Sequence, residues 1–147
     1  MRLDRFLSES GLYSRREAAG AIRGGRVEVD GAVVRDPAAK VDENAAVVTA
    51  DGKSVFHTGD GMLCRQLLSE GPKGADALIV PINGKGNNMT AADAAKLTKA
   101  LAPKSVYPMH FDMFEEYGCD PAEFTVALGT DCGVRVVIPA HYTEGEI

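Results

Sequence analysis

The sequence lacks the features of an exported or membrane-inserted protein. No apolar run approaches the ~20 residues that a membrane-spanning helix needs. The first ten residues, MRLDRFLSES, mix charged and apolar side chains and contain no apolar stretch of the kind found in signal peptides. We therefore predict a cytoplasmic protein that does not enter a membrane.

Cysteine and histidine are also scarce. The three cysteines are odd in number and form no Cys-x-x-Cys pair, which favours reduced thiols over a disulfide framework or a zinc ribbon. There are three histidines, and none precedes His57.

The charge that is present is unevenly distributed. The chain has a net charge of −5, yet residues 1–35 hold seven arginines and five acidic residues. Residues 54–147 hold seven basic and twelve acidic residues. An arginine-rich front and an acidic remainder indicate two modules with different partners.

Local patterns predict two short helices and a small sheet in the first module. Ser14 and Glu17 fit a capping box, and Gly24-Gly25 would end the second helix. Asp30-Gly31 predicts a tight turn between two strands, and a further strand is expected over 45–49. The residues expected to face inward are Leu3, Phe6, Leu7, Ala18, Ala19 and Ile22.

Arginine dominates the surface of this small module. Guanidinium groups bind phosphate oxygens bidentately, so the pattern favours a phosphate-rich partner, although solvated surface charges would give the same composition. The candidate binding residues are Arg2, Arg5, Arg15, Arg16, Arg23 and Arg26.

The order of residues in this module resembles a known family. The segments RLDRFLS, GLYSRREA and IRGGRVEVDG, followed by D-P…K-V-D, resemble the S-four-type RNA-binding domain at the front of bacterial ribosomal RNA pseudouridine synthases. The resemblance covers residues 1–53 and implies binding to structured RNA, with ribosomal RNA as the expected partner. Such contacts read RNA shape and phosphates rather than base sequence. The arginine-leucine-aspartate segment of the synthases is missing, so pseudouridine synthase activity is not expected.

The remaining residues, 54–147, predict alternating strands and helices. This alternation is typical of an α/β layered structure. Strands are expected over 54–58, 76–82, 104–109 and 133–138, and helices over 62–68, 90–101 and 121–128.

Asp60 and His110 each follow a predicted strand, where open α/β sheets place their ligands. Carboxylate and imidazole groups bind zinc and manganese, but a turn aspartate and a structural histidine would give the same pattern. His57 and His141 have simpler interpretations as sheet and tail residues.

The local sequence around these two residues resembles a second family. VFHTGD, DALIVPINGKGNNMTAADAAKL and PKSVYPMHFDMF resemble the C-terminal half of metallo-β-lactamase-fold hydrolases, in the branch that contains ascorbate-6-phosphate lactonase-like proteins. The resemblance implies that Asp60 bridges two metal ions and that His110 binds one of them. The fold expected for the chain is therefore α/β, with a small RNA-binding module followed by half of an αββα sandwich.

The first half of that hydrolase fold, with its His-x-His-x-Asp-His cluster, is missing from the sequence. A catalytic zinc site needs about three protein ligands, and one chain offers two. We therefore expect no hydrolase activity from a single chain, unless a second chain completes the site. The missing half would also leave apolar strands uncovered, which predicts self-association. A gene remnant without a selected activity is a third interpretation.

Overall fold

The computed structural model describes residues 1–9, 13–42, 47–112 and 116–138, and in these ranges the protein is built on one mixed β-sheet. None of the helices there has the length and apolar character needed to cross a bilayer. The helices are α1 (Leu3–Glu9), α2 (Arg15–Arg23), α3 (Arg65–Glu70), α4 (Ala91–Leu101) and α5 (Pro121–Leu128). The strands are β1 (Val27–Val29), β2 (Ala32–Val33), β3 (Val47–Ala50), β4 (Lys53–His57), β5 (Ala77–Pro81), β6 (Ser105–Met109) and β7 (Arg135–Val136).

The capping box predicted for α2 is present. The Glu17 amide donates to Ser14 Oγ at 3.4 Å, and the Ser14 amide donates to Glu17 Oε2 at 2.9 Å. The inward face differs from the prediction at one position, because Ala21 is fully buried and Ala19 is only half-buried. Ala21 lies three residues after Ala18 and one before Ile22, and these three form the buried side of the helix.

Two Asp-Gly turns shape the front of the sheet. Asp30 and Gly31 have φ values of 51° and 80°, and Asp51 and Gly52 have values of 51° and 77°. Positive φ at both central residues gives the turn whose twist matches a two-residue β-hairpin. The first turn joins β1 to β2, and the second joins β3 to β4.

The second hairpin makes the two modules share one sheet. The strand order is β2-β1-β3-β4-β5-β6-β7, with antiparallel pairing up to β4 and parallel pairing from β4 to β7. The β3–β4 ladder therefore runs across the division that we propose between residues 53 and 54.

Helices cover opposite faces of the two halves of this sheet. Val48 pairs with Val55, so these two side chains share a face, and Val48 packs with residues of α1 and α2. The neighbouring residue Phe56 points to the other face, where α4 and α5 pack. The residues aligned with Phe56 along the parallel strands are Leu78, Val106 and Val136, which all contribute to this second core.

A ring contact joins the two modules on the α1 side. The rings of Phe6, in α1, and His57, at the end of β4, have centroids 5.8 Å apart. Further along the same face, Ile79 and Tyr107 are only half-buried. The helices of the first module thus cover β4, while on the same face of β5 and β6 Ala77 and Ser105 are buried and Ile79 and Tyr107 are covered less.

The helix predicted over 62–68 begins later, at Arg65. Cys64 caps it, with Sγ accepting a hydrogen bond from the Leu67 amide at 3.4 Å. The apolar residues at 62–63 belong to neither a helix nor a strand. The predicted strand over 133–138 shortens to β7, whereas α4 and α5 form as predicted with Thr90 and Asp120 as caps.

We predict that the described part of the chain unfolds as one unit, since the β3–β4 ladder and the Phe6–His57 contact join its halves. Phe6→Ala should lower the free energy of unfolding by about 3–5 kcal/mol, because Phe6 is a fully buried core side chain. Urea denaturation followed by circular dichroism measures both properties. Val126→Ala is the control, since Val126 is 81% exposed and should change stability by no more than about 0.5 kcal/mol. Two separate transitions, of which only one responds to Phe6→Ala, would contradict this prediction.

Candidate functional site

The two arginines of the α1 region are engaged by neighbouring carboxylates. Arg2 donates to both oxygens of Asp4, with the shorter bond at 2.6 Å, and Arg5 Nε donates to Glu9 at 2.6 Å. The bond from Arg2 lowers the pKa of the Asp4 carboxyl and raises the pKa of Arg2 itself. These two guanidinium groups are therefore partly neutralised within the protein.

The three arginines of α2 are arranged differently. Arg15, Arg16 and Arg23 are exposed, and none forms an ion pair with another residue that the structure describes. Arg16 and Arg23 are seven residues apart, so they lie on the same side of the helix and about 10 Å apart along its axis. This side of α2 is the most available cationic surface among the predicted residues.

Arg26, the sixth predicted residue, belongs to a cluster at the β3–β4 hairpin. Its Nη1 donates to both oxygens of Asp51 at 2.7 Å, and the Tyr13 hydroxyl donates to the same carboxylate. Burial raises the pKa of Tyr13 to about 12, and the bond to Asp51 adds to this rise. Tyr13 and Arg26 together lower the pKa of Asp51. The sequence analysis did not identify Asp51 as a partner of Arg26, because the two residues are 25 positions apart.

A seventh arginine, Arg35, was not among the predicted binding residues. It is exposed, and its Nη1 donates to the carbonyl oxygen of Arg23 at 3.3 Å. Arg35 lies twelve residues beyond Arg23, so only the folding of β1 and β2 back toward α2 brings the two together.

The structure brings the two predicted metal ligands together. Asp60 follows β4 and His110 follows β6, and these strands run parallel on either side of β5. Asp60 Oδ1 lies 3.3 Å from His110 Nδ1, and Asn88 Nδ2 lies 3.3 Å from the same nitrogen. His110 has a φ of 64°, a conformation rarely adopted by residues other than glycine. We call Asp60 and His110 the metal pair.

Among the residues that the structure describes, the metal pair has no further ligand beside it. Across the described ranges, no group of three or more His, Cys, Asp or Glu side chains is arranged to hold an ion. The Asp60 side chain is 71% exposed, and His57 Nδ1 already accepts a bond from the Gly59 amide at 2.9 Å. His141 lies outside the described residues. The donors present therefore fall short of the three protein ligands of a catalytic zinc site.

The two modules differ in their secondary structure and in the functional groups that they expose. The front is a two-helix module with an arginine-rich surface, and the remainder is an α/β half-domain with a carboxylate–imidazole pair at the carboxyl ends of its parallel strands. Known proteins are similar to each part of the chain. The S4 domain family matches residues 1–47.

The second module is similar to metal-dependent hydrolases. A UPF0173 metal-dependent hydrolase from Pyrococcus abyssi is 33% identical over 100 residues, which are 67% of this chain and 44% of that protein. A UPF0173 metal-dependent hydrolase from Opitutus terrae is 36% identical over 99 residues, 67% of this chain and 43% of that protein. The metallo hydrolase Igni18 from Ignicoccus hospitalis superposes with a TM-score of 0.55 at 27% identity, covering 82% of this chain and 50% of that one.

These comparisons confirm the resemblance of the front of the chain to an S4 domain and of the rest to part of a metal-dependent hydrolase. The chain spans less than half the length of the curated relatives that it matches. The individual binding roles of the arginines and of the metal pair stay predictions.

We predict that Asp51→Asn lowers the pKa of Tyr13 from about 12, although not fully to 10, because burial remains. The raised pKa means that Tyr13 contributes stability below pH ~10, and that this contribution is lost as the pH rises toward about 12. Ultraviolet titration of the four tyrosines measures the change. Asp30→Asn, at the corresponding position of the first hairpin, is the matched control. A Tyr13 titration that Asp51→Asn leaves unchanged would contradict the contact.

Proposed function

We propose that this protein binds structured RNA, with ribosomal RNA as its expected partner, through the exposed arginines of α2. The observation that carries the proposal is that the arginines near α1 and those of α2 differ in their carboxylate partners. Arg2 and Arg5 are engaged by carboxylates, whereas Arg15, Arg16 and Arg23 have no such partner in the described part of the chain. The resemblance to S-four-type domains supports the same surface.

The chemistry of this surface fits a phosphate backbone. Guanidinium groups on a rigid helix hold phosphate oxygens bidentately and lose little side-chain freedom for each bond formed. The overall charge of −5 does not oppose this, because the acidic excess lies in residues 54–147, whereas residues 1–35 carry an excess of arginine. Binding of this kind depends on the shape of the RNA and on salt.

Replacing both Arg15 and Arg16 with alanine should weaken RNA binding across different stem-loops. Each lost phosphate contact should reduce the slope of log affinity against log salt by about 0.7–0.9. Fluorescence anisotropy with a labelled ribosomal RNA stem-loop, between about 50 and 200 mM salt, measures this slope. Arg65→Ala is the control, because Arg65 is an exposed helix arginine in the second module. Equal affinities for the double variant and the wild type would remove α2 from the proposal.

A second candidate function is metal-dependent hydrolysis in an assembly of two or more chains. It is favoured by the 3.3 Å separation of Asp60 and His110 and by the similarity to metal-dependent hydrolases. A partner chain would have to supply the remaining ligands and could cover the half-buried side chains of Ile79 and Tyr107. In this proposal the single chain has no hydrolase activity.

The metal content and the molecular mass of the purified protein test whether an assembly with a metal site forms. If an assembly completes the site, purified protein should contain stoichiometric zinc or manganese, and light scattering should show an oligomer. Asp60→Ala and His110→Ala should each remove the metal, while Asp93→Ala, in the capping box of α4, should keep it. A monomer without bound metal after dialysis against either ion would rule out the second candidate and the predicted self-association.

A further inference from the structure

Arg35 is held against the turn that ends α2. A Cβ atom added to Gly25 would lie 2.6 Å from Arg35 Nη1 and 2.7 Å from its Cζ and Nη2. Such distances are shorter than any real contact, so the guanidinium group occupies the space that a side chain at Gly25 would fill. The close approach depends on a glycine at this position.

The carbonyl end of α2 helps to hold the Arg35 side chain. Arg35 Nη1 donates to the Arg23 carbonyl oxygen at 3.3 Å, and the last carbonyls of a helix carry partial negative charge that attracts cations. A guanidinium group has five N–H donors, and this bond uses one of them. The group is therefore positioned in advance and keeps donors for a second partner.

Two guanidinium groups, those of Arg26 and Arg35, lie beside the Gly24-Gly25 turn, and Arg23 immediately precedes it in sequence. Arg23 is the last residue of α2, and Arg35 contacts both its carbonyl oxygen and Gly25. Arg26 Nε would lie 3.8 Å from a Cβ atom at Gly24. We call Arg23, Arg26 and Arg35 the turn site.

The turn site carries an excess of positive charge. Asp51 is the one carboxylate that forms an ion pair with it in the described ranges, and it engages Arg26 through Nη1. Asp36, next to Arg35 in sequence, instead accepts a bond from the Ala38 amide. The arginines at and beside this turn outnumber the carboxylates that pair with them in the described ranges, and this excess of positive charge favours the binding of an anion.

We propose that the turn site binds a phosphodiester group of the RNA, with Arg35 as a ligand that Gly25 positions. This inference rests on the proposed RNA-binding function and extends it to a residue outside the predicted set. The turn site lies about 10 Å from Arg16 along the α2 axis, counted to Arg23. The RNA backbone thus contacts α2 at both ends, and this spacing of two phosphate contacts selects for RNA shape.

The first test removes the Arg35 guanidinium group. Arg35→Gln should weaken binding of the labelled RNA stem-loop about tenfold at low salt and reduce the salt slope by about 0.7–0.9. Arg65→Gln is the matched control and should leave both values unchanged. Circular dichroism establishes that each variant is folded.

The second test displaces Arg35 without changing its charge. Gly25→Ala should push the guanidinium group away and weaken RNA binding, whereas Gly31→Ala should not. The two glycines have similar φ values, 73° and 80°, but a Cβ at Gly31 would meet no atom within 4 Å. The pair therefore shares the cost of backbone strain and differs in the contact with Arg35. In an Arg35→Gln background, Gly25→Ala should add little further loss, as expected for residues that act together.

The outcomes distinguish this inference from the function on which it rests. If Arg15 and Arg16 prove necessary while Arg35→Gln binds like the wild type, α2 binds RNA and the turn site does not. If the wild type shows no salt-dependent RNA binding, both proposals are wrong. Should Gly25→Ala fail to fold, Arg35→Gln and its Arg65→Gln control still decide the question.

Discussion

The pairing of β3 with β4 is the constraint on which the rest of the structure depends. A two-residue turn at Asp51-Gly52 holds these strands in register, and through them three antiparallel strands of the first module extend the parallel strands of the second. A one-residue slip would reverse every side chain of β4, moving Val55 and Phe56 each to the wrong core. The register of a short hairpin therefore decides whether both cores form.

The continuous sheet also brings the first module against the second. Val55 and His57 share one face of β4, and α1 packs on that face, where Phe6 contacts His57. The first module thus covers the end of β4, and Ile79 and Tyr107, further along the same face, are only half-buried. This arrangement links the stability of each module to the other.

Sequence reasoning succeeded where the signals are local. The capping box at Ser14 and the Asp-Gly turn at Asp30 depend on residues within a few positions of one another, and the structure contains both. Sequence reasoning was less successful for contacts between residues that are far apart in the sequence. The ion pair of Arg26 with Asp51 spans 25 residues, and the approach of Arg35 to Arg23 spans 12. The carboxylate–imidazole pair was predicted because both residues follow strands of one parallel sheet, and such strand ends meet at one edge.

The arginines illustrate why composition alone does not locate a binding surface. A guanidinium group that already donates to a carboxylate has part of its charge neutralised and fewer donors left for a phosphate, so phosphate binding yields less net free energy. Arg2 shares two bonds with Asp4 and Arg5 donates to Glu9, whereas the arginines of α2 and Arg35 form no ion pair with a described carboxylate. A fold can therefore concentrate its usable positive charge on one helix even when its net charge is negative. In this protein, the carboxylates of the first module pair with the arginines near α1. The arginines that remain available for binding phosphate are those of α2 and its terminal turn.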